Sequence, residues 1–453
     1  MTEVKENKMG VMPVNKLLLS MSVPIMISML VQALYNIVDS IFVAKISEEA
    51  LSAVSYAFPL QTLLIAFGGG TGVGVNALLS RALGEKDHKK ANVMAMHGVL
   101  LAVVNSIIFL IVGLFLVKPF YLSQTNNETI INYGIEYLTI VCTFSFGLFS
   151  QFLFERLLQS TGKTIYTMIT QATGAIINII LDPILIFGMF GLPKMGVAGA
   201  AIATVIGQVV AGVLGFIINQ KVNKEIRLQL RGFRPSKNVI IQIYKIGIPS
   251  IIMQSIGSIM VYGFNKILGR FTDIKETAVA VFGVYYKLQS FIFMPVFGLN
   301  NGMVPIIAYN YGARKKDRML KTMKLSMLYA TAIMVIGLIV FQIFPGPLFS
   351  MFEASETMLS MGETALRIIS IHFIFVGFNI IGTSTFQSLG NAVYSMIISI
   401  CRQLLVLLPS AYILSLTGNV NNVWFAFPIA EVVACVLTIV FMIVMNKKIF
   451  SKI

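Results

Sequence analysis

The chain has 453 residues, 57% of them hydrophobic and only 12% charged, with a mean hydropathy of +0.84. A soluble domain carries roughly 25% charged residues, so this composition excludes a soluble enzyme, a disordered regulator and a disulfide scaffold. The net charge of +15 would suit nucleic acid only if it formed one solvated face. Here the basic residues sit in short loops between apolar runs, so no nucleic-acid partner is expected and the lipid bilayer is the solvent.

Apolar runs long enough to cross about 30 Å of hydrocarbon predict an all-α membrane protein of twelve spans: 17–44, 52–80, 93–117, 133–159, 165–189, 195–218, 239–269, 277–304, 322–345, 361–388, 393–415 and 421–446. The first is too long for the apolar core of a signal peptide, and no small-residue cleavage pattern follows it. It holds Pro24, which removes a helix hydrogen bond and predicts a bend. Further along it, Gln32, Tyr35, Asn36 and Asp39 fall at i, i+3, i+4 and i+7, a single polar stripe. The second span carries Gly68, Gly70, Gly72 and Gly74 at small-xxx-small spacing, which reads as close helix packing. No Gly-Lys-Ser/Thr follows, so it is no phosphate loop. In the loop before the fourth span, Asn127-Glu128-Thr129 is a glycosylation sequon that matters only in a eukaryotic source.

Three more spans of the N-terminal half carry polar faces. Gln151, Glu155 and Gln159 recur every four residues on the fourth span, Asn178 and Asp182 are i, i+4 neighbours on the fifth, and Thr204 and Gln208 repeat this on the sixth. Hydrocarbon does not tolerate such faces, so they turn toward one another or toward water. Of 19 acidic residues only Asp39, Glu155, Asp182 and Glu431 lie deep in apolar runs. Glu431 matches Arg402 on the preceding span as a buried pair across helices. Arg156 adjoins Glu155, but sequence neighbours on a helix point to different faces. Asp39 and Asp182 have no such local cation, which points to a Na⁺ or proton site: carboxylate and amide oxygens suit Na⁺, and a buried carboxyl can cycle a proton. Lys287 and His372 are isolated in the C-terminal half. The three cysteines (Cys142, Cys401, Cys435) fall inside apolar runs as packing residues. With three histidines, no metal-spaced Cys/His set and no nucleophile motif, no enzyme activity and no cofactor are expected. The 25 Met and 33 Phe residues are mostly membrane filler, although both types adapt to varied flat ligands.

Loop charge sets orientation. The N-terminus, the loops after even-numbered spans and the C-terminus carry 22 Lys and Arg residues, against 5 in the loops after odd-numbered spans. This bias places both termini in the cytoplasm and the protein in the cell membrane. The basic loop 219–238 divides the chain into an N-terminal six-helix unit, 1–218, and a C-terminal one, 239–453. The two halves repeat one another: Gln159-Ser160-Thr161-Gly162 and Tyr166 meet Gln387-Ser388-Leu389-Gly390 and Tyr394 at an offset of 228, as Gly74 meets Gly302 and Gly84 meets Gly312. Six spans per copy make the repeats parallel, related by an axis along the membrane normal, with a cavity between them.

Four segments carry a family resemblance. Tyr35-Asn36-Ile37-Val38-Asp39, Asn178-Ile179-Ile180-Leu181-Asp182-Pro183, Gly196-Val197-Ala198-Gly199-Ala200-Ala201 and Val304-Pro305-Ile306-Ile307-Ala308-Tyr309-Asn310-Tyr311-Gly312 resemble the multidrug and toxic compound extrusion (MATE) family. The resemblance implies a V-shaped pair of bundles that exports cationic amphipathic drugs, as a monomer, by alternating access against Na⁺ or H⁺. It further implies that Asp39, Asn178, Asp182 and Thr204 hold the coupling ion, as in the DNA-damage-inducible branch, with Gln32, Tyr35 and Asn36 at the cavity and the bend at Pro24. Glu155 is similar to the fourth-span acid of the staphylococcal-type exporters and is placed at the cavity too. Another branch has essential acids in its seventh and tenth spans. Here Gln254, Ser258 and Tyr262, then Asn379, Thr383 and Gln387, stand there instead. The rival within the superfamily is a flippase for lipid-linked precursors or polysaccharides, which calls for a basic cavity; the rival outside it is a non-transporting sensor or scaffold.

Overall fold

The computed structural model describes residues 6–229, 232–352 and 355–448, and the described residues form helices and turns without strands. Ten helices are long and apolar enough to cross a membrane, and two bent pairs raise the spans to twelve. In chain order these are Val14–Ala44, Glu48–Gly84, His88–Phe115, Glu128–Thr143 with Phe146–Ser160, Thr164–Phe187, Gly196–Val222, Lys237–Leu268, Lys275–Gly312, Lys316–Ile343, Glu356–Ser370 with Phe373–Ser388, Ala392–Ser415 and Val420–Lys447. Each falls on a span expected from hydropathy. What the pattern missed is the break in the fourth and tenth spans, by 45° and 50°. There i→i−3 hydrogen bonds (Ser145 N to Cys142 O, 3.3 Å; His372 N to Ile369 O, 3.1 Å) interrupt the α-helical ladder. The axis turns while the run of apolar side chains continues, so periodicity carries no sign of it.

The duplication extends to backbone detail. Lys86 and Arg314, 228 residues apart, both hold positive φ (58° and 55°), and Gly162 and Gly390 both stand at φ 81°. Asp87 N bonds to Ala82 O at 3.0 Å, and Lys315 N to Asn310 O at 2.9 Å; Lys163 N to Leu158 O at 2.7 Å is repeated by Asn391 N to Phe386 O at 2.8 Å. The same turns therefore end the same spans in both copies.

The bundles meet where the first span packs on the eighth and the second on the seventh and eighth. Small residues allow the approach: a Cβ at Gly84 would stand 2.0 Å from the Tyr309 carbonyl oxygen, and one at Gly302 2.8 Å from Cα of Ser22. Ser22 Oγ donates to Leu299 O (3.3 Å), and the Arg81 guanidinium lies 4.7 Å from the ring centre of Tyr311. These contacts gather at one end of the molecule. There a one-turn helix, Lys8–Val11, with Met9 fully buried, bridges both halves. Asn7 Nδ2 donates to Glu225 Oε1 (2.7 Å) and to Thr161 O (3.1 Å) on the N-terminal side. On the C-terminal side Lys315 Nζ meets Glu6 Oε1 (2.5 Å), and Arg318 Nη2 donates to Met9 O (3.0 Å) and Met12 O (2.7 Å). The hydrogen bond from Lys315, helped by its charge, holds the Glu6 carboxyl below the usual range. The segment after the sixth span is pinned to the third: Arg227 N donates to Asn92 Oδ1 (2.7 Å), and Ser236 N to Nε2 of the buried His97 (2.8 Å).

Candidate ion site and central cavity

The first span runs as one helix through Pro24. Proline cannot donate to the carbonyl four residues back, Ser20 O, and a carbonyl left bare in lipid is costly. Oγ1 of Thr164, the first residue of the fifth span, donates to it at 3.3 Å. The proline thereby ties the first span to the fifth, the helix it packs against. Four to five turns on, the same pair of helices brings Asp39 and Asp182 together, their carboxyls close enough to share a hydrogen bond when one of them carries a proton.

Asn178 Nδ2 donates both to Asp182 Oδ1 (3.3 Å) and to Thr204 Oγ1 of the sixth span (3.3 Å). All four residues expected at the coupling-ion site thus belong to one cluster. Three oxygens in it, Asp39 Oδ1, Asn178 Oδ1 and Asp182 Oδ2, are buried without a hydrogen-bond partner. A buried polar atom of this kind costs about 1–3 kcal/mol, and three unpartnered acceptors in one cluster are what a proton or a small cation would satisfy. Beside them is a cavity of about 30 Å³, lined by Gln32, Tyr35, Asn178, Thr204 and Gln208 among others, with room for a water or two. Sequence reasoning missed Tyr137 and Gln61. The Tyr137 hydroxyl accepts from Gln61 Nε2 (2.9 Å) and lies within electrostatic range of Asp39.

Glu155, expected at the substrate cavity, stands behind the wall instead. Its Oε1 accepts from Gln151 Nε2 (2.9 Å) and its Oε2 from Gln171 Nε2 (2.7 Å), and it is 3% exposed. These two amides also line the small cavity, so Glu155 braces it from outside. Gln171 continues the stripe of Asn178 and Asp182 two turns back, and an extension of that stripe would have found it.

A second cavity, about 530 Å³, opens between the bundles. Phe152, Phe297, Met29, Met253 and Met294 give it apolar walls, and Gln32 and Asn36 are the two residues of the first-span stripe that reach it. Its ionisable lining residues are Arg156 and Arg402, with no carboxylate. The deep acids of the N-terminal bundle therefore line neither cavity: Asn178, a partner of Asp182, borders the small one, and the wall of the large one carries arginines instead. Arg402 pairs with Glu431 as expected (Nη1 to Oε2, 3.1 Å), and Asn379 Nδ2 adds a bond to Glu431 Oε1 (2.7 Å). Arg402 lies in a π-helical stretch of the eleventh span, Cys401–Leu407. Such widened turns recur at functional sites because they re-aim side chains.

The remaining singled-out residues have local roles. Asn127 caps the helix that follows, its Oδ1 accepting from Thr129 N (3.0 Å). His372 bonds the Ile369 carbonyl, Lys287 lies 5.9 Å from the ring centre of Phe352, and the three cysteines are free.

Comparison with known proteins follows this geometry. The profile of the MatE family matches the chain twice, over residues 24–184 and 249–413, which together make up more than half of it. The chain is 27% identical to the multidrug export protein MepA of Staphylococcus haemolyticus over 93% of its own length and 92% of that protein's. It is 26% identical to a FAD transporter of Shewanella oneidensis, over 93% and 94% of the two chains. Its fold superposes on the outward-facing conformation of a multidrug resistance MATE family transporter of the MOP superfamily, with a TM-score of 0.92, 25% identity and full coverage of both chains. A MOP superfamily transporter from Pyrococcus furiosus, described as having a binding pocket of reverse polarity, matches with a TM-score of 0.90 and 25% identity over 99% of this chain and all of that one.

Proposed function

This chain belongs to the MatE family, and from that premise we propose that it is an exporter driven by Na⁺ or H⁺ through alternating access. It is a multi-pass membrane transporter of small molecules, of the multidrug efflux kind, and not an enzyme. In the proposed cycle the ion enters the N-terminal bundle and binds at Asp39, Asn178, Asp182 and Thr204. The observation that carries this reading is the set of three buried, unpartnered oxygens in that cluster. Binding there changes the balance between two arrangements of the bundles, and cargo must prefer one of them for the fluxes to be coupled. The working units are 1–218 and 239–453, joined by 219–238, acting as a monomer in the plasma membrane with both termini cytoplasmic. The latched end is then the inner face, and the state described is outward-facing.

The cargo on this reading is an amphipathic organic compound, taken up against the Phe and Met walls of the large cavity. Cationic amphipathic drugs are the class expected from the sequence, and they would find amides and aromatic rings there in place of carboxylates. A flippase for lipid-linked precursors or polysaccharides is the second reading, favoured by the two arginines in the cavity wall.

Proteoliposomes loaded with a lipophilic fluorescent cation test the proposal, with Na⁺ and pH gradients imposed separately. We expect efflux driven by one gradient and lost in Asp182→Asn. Wild-type efflux by that variant would refute the ion site. Flux of a labelled lipid-linked saccharide without cation efflux would move the assignment to the flippase.

A further inference from the structure

The large cavity has one charge without an ion-pair partner among the described residues, that of Arg156 in its wall. The adjacent Glu155 points to a different face of the helix, where Gln151 and Gln171 engage both of its oxygens. Arg156 itself uses only Nη1, which donates to Gln159 Oε1 (2.9 Å) and to Asn301 Oδ1 of the eighth span (3.0 Å). A guanidinium has five N–H donors in a fixed fork, so Nε and Nη2 are left without an acceptor among the described residues. The fold makes room for this side chain: a Cβ at Gly72 on the second span would lie 2.8 Å from Cγ of Arg156. An arginine within a membrane span is costly unless paired, and a fork of free donors suits a phosphate or carboxylate. The other arginine of the wall, Arg402, already has Glu431.

We propose that the central cavity binds amphipaths bearing an anionic group, a phosphate or a carboxylate, which Arg156 holds while the Phe and Met walls take the apolar part. This rests on the reading of that cavity as the cargo site, and it replaces the cationic class expected from the sequence with an anionic one. The glycine opposite the Arg156 stem and the bond to Asn301 position the fork at the seam of the two bundles. An anion bound there would touch the N-terminal bundle through Arg156 and the C-terminal bundle through the amides beside it.

The test uses the full chain in nanodiscs and three probes that share a naphthalene ring and carry an anionic, a neutral or a cationic substituent: 1-naphthyl phosphate, 1-methoxynaphthalene and 1-naphthyltrimethylammonium. Wild type should bind the phosphate most tightly. Arg156→Gln should weaken the phosphate alone by about tenfold to a hundredfold, the worth of one charge-assisted hydrogen bond. Arg156→Lys should recover part of the loss by restoring the charge without the fork. Equal weakening of all three probes by both variants would mean a structural role and overturn the proposal. Tightest binding of the ammonium probe would overturn it while leaving the cavity as the cargo site; binding of none of the three would overturn both. Farnesyl phosphate in the nanodisc and soluble inorganic phosphate, each competing with naphthyl phosphate, then distinguish a membrane-borne source of the anion from an aqueous one. Displacement by either supports the site.

Discussion

At the scale of single residues, fifteen buried side-chain nitrogen and oxygen atoms among the described residues lack a partner, and three of them fall together in the Asp39, Asn178 and Asp182 cluster. The carbonyl that Pro24 leaves bare is met by Thr164. Thr164→Val keeps the shape and removes the donor, so it should cost about 1–3 kcal/mol, read as a lowered melting temperature of the detergent-solubilised protein. An unchanged melting temperature would mean that the carbonyl finds another donor. Asp39 and Asp182 were legible in the sequence because a carboxylate in an apolar run has few bland explanations, and helical spacing gave each its companions. Arg156 was not legible in the same way. With Glu155 beside it the two look like a self-cancelling pair, and only the fold shows the carboxylate taken by two glutamines and the guanidinium turned to the opposite cavity.

At the scale of elements, hydropathy found all twelve spans, since a bilayer demands length and apolarity of every one of them. It could not find the breaks in the fourth and tenth spans, because a change in hydrogen-bond pattern leaves side-chain polarity untouched. The duplicated turns separate two roles of glycine. Gly390 has nothing within 4 Å of a built Cβ but stands at φ 81°. Gly390→Ala should therefore cost only the left-handed backbone strain, about 1–2 kcal/mol, and leave the conformational balance alone. Gly84 is an ordinary helical residue whose added Cβ would strike the Tyr309 carbonyl in the other bundle. Gly84→Ala should instead push the two bundles apart at the latched end, seen as a longer distance between spin labels placed on exposed sites of loops 85–87 and 313–316. Equal distances in wild type and Gly84→Ala would show that the interface yields without opening.

At the scale of the whole molecule, the residues that close the latched end lie outside the spans and are open to titration. Because the folded-state value of the Glu6 carboxyl is lowered by Lys315, its contribution is full above the ordinary glutamate value of about 4.3. It fades as pH falls through the lowered value. In a background without Cys142, Cys401 and Cys435, a short bismaleimide should join Glu6→Cys to Lys315→Cys quickly in the latched state. Adding the transported ion or cargo should change that rate if the latch opens during the cycle; a constant rate under all conditions would show it to be a fixed strut. In the unmodified chain, the same face should become more accessible to protease only in acid, below the usual carboxylate range.

The Arg402, Glu431 and Asn379 cluster has a consequence for the duplicated architecture. Counting 228 residues on from Gln151 and Gly174, which border the small cavity of the N-terminal bundle, leads to Asn379 and Arg402. Where one bundle holds a hollow beside the Asp39 and Asp182 pair, its copy holds a guanidinium already bonded to a carboxylate. On the proposed reading of the Asp39 cluster as the ion site, the second bundle carries its positive charge on a covalent leash and has none to exchange. Gene duplication followed by this one substitution of a wired cation for a borrowed one would leave a machine with two similar arms and a single rechargeable cell.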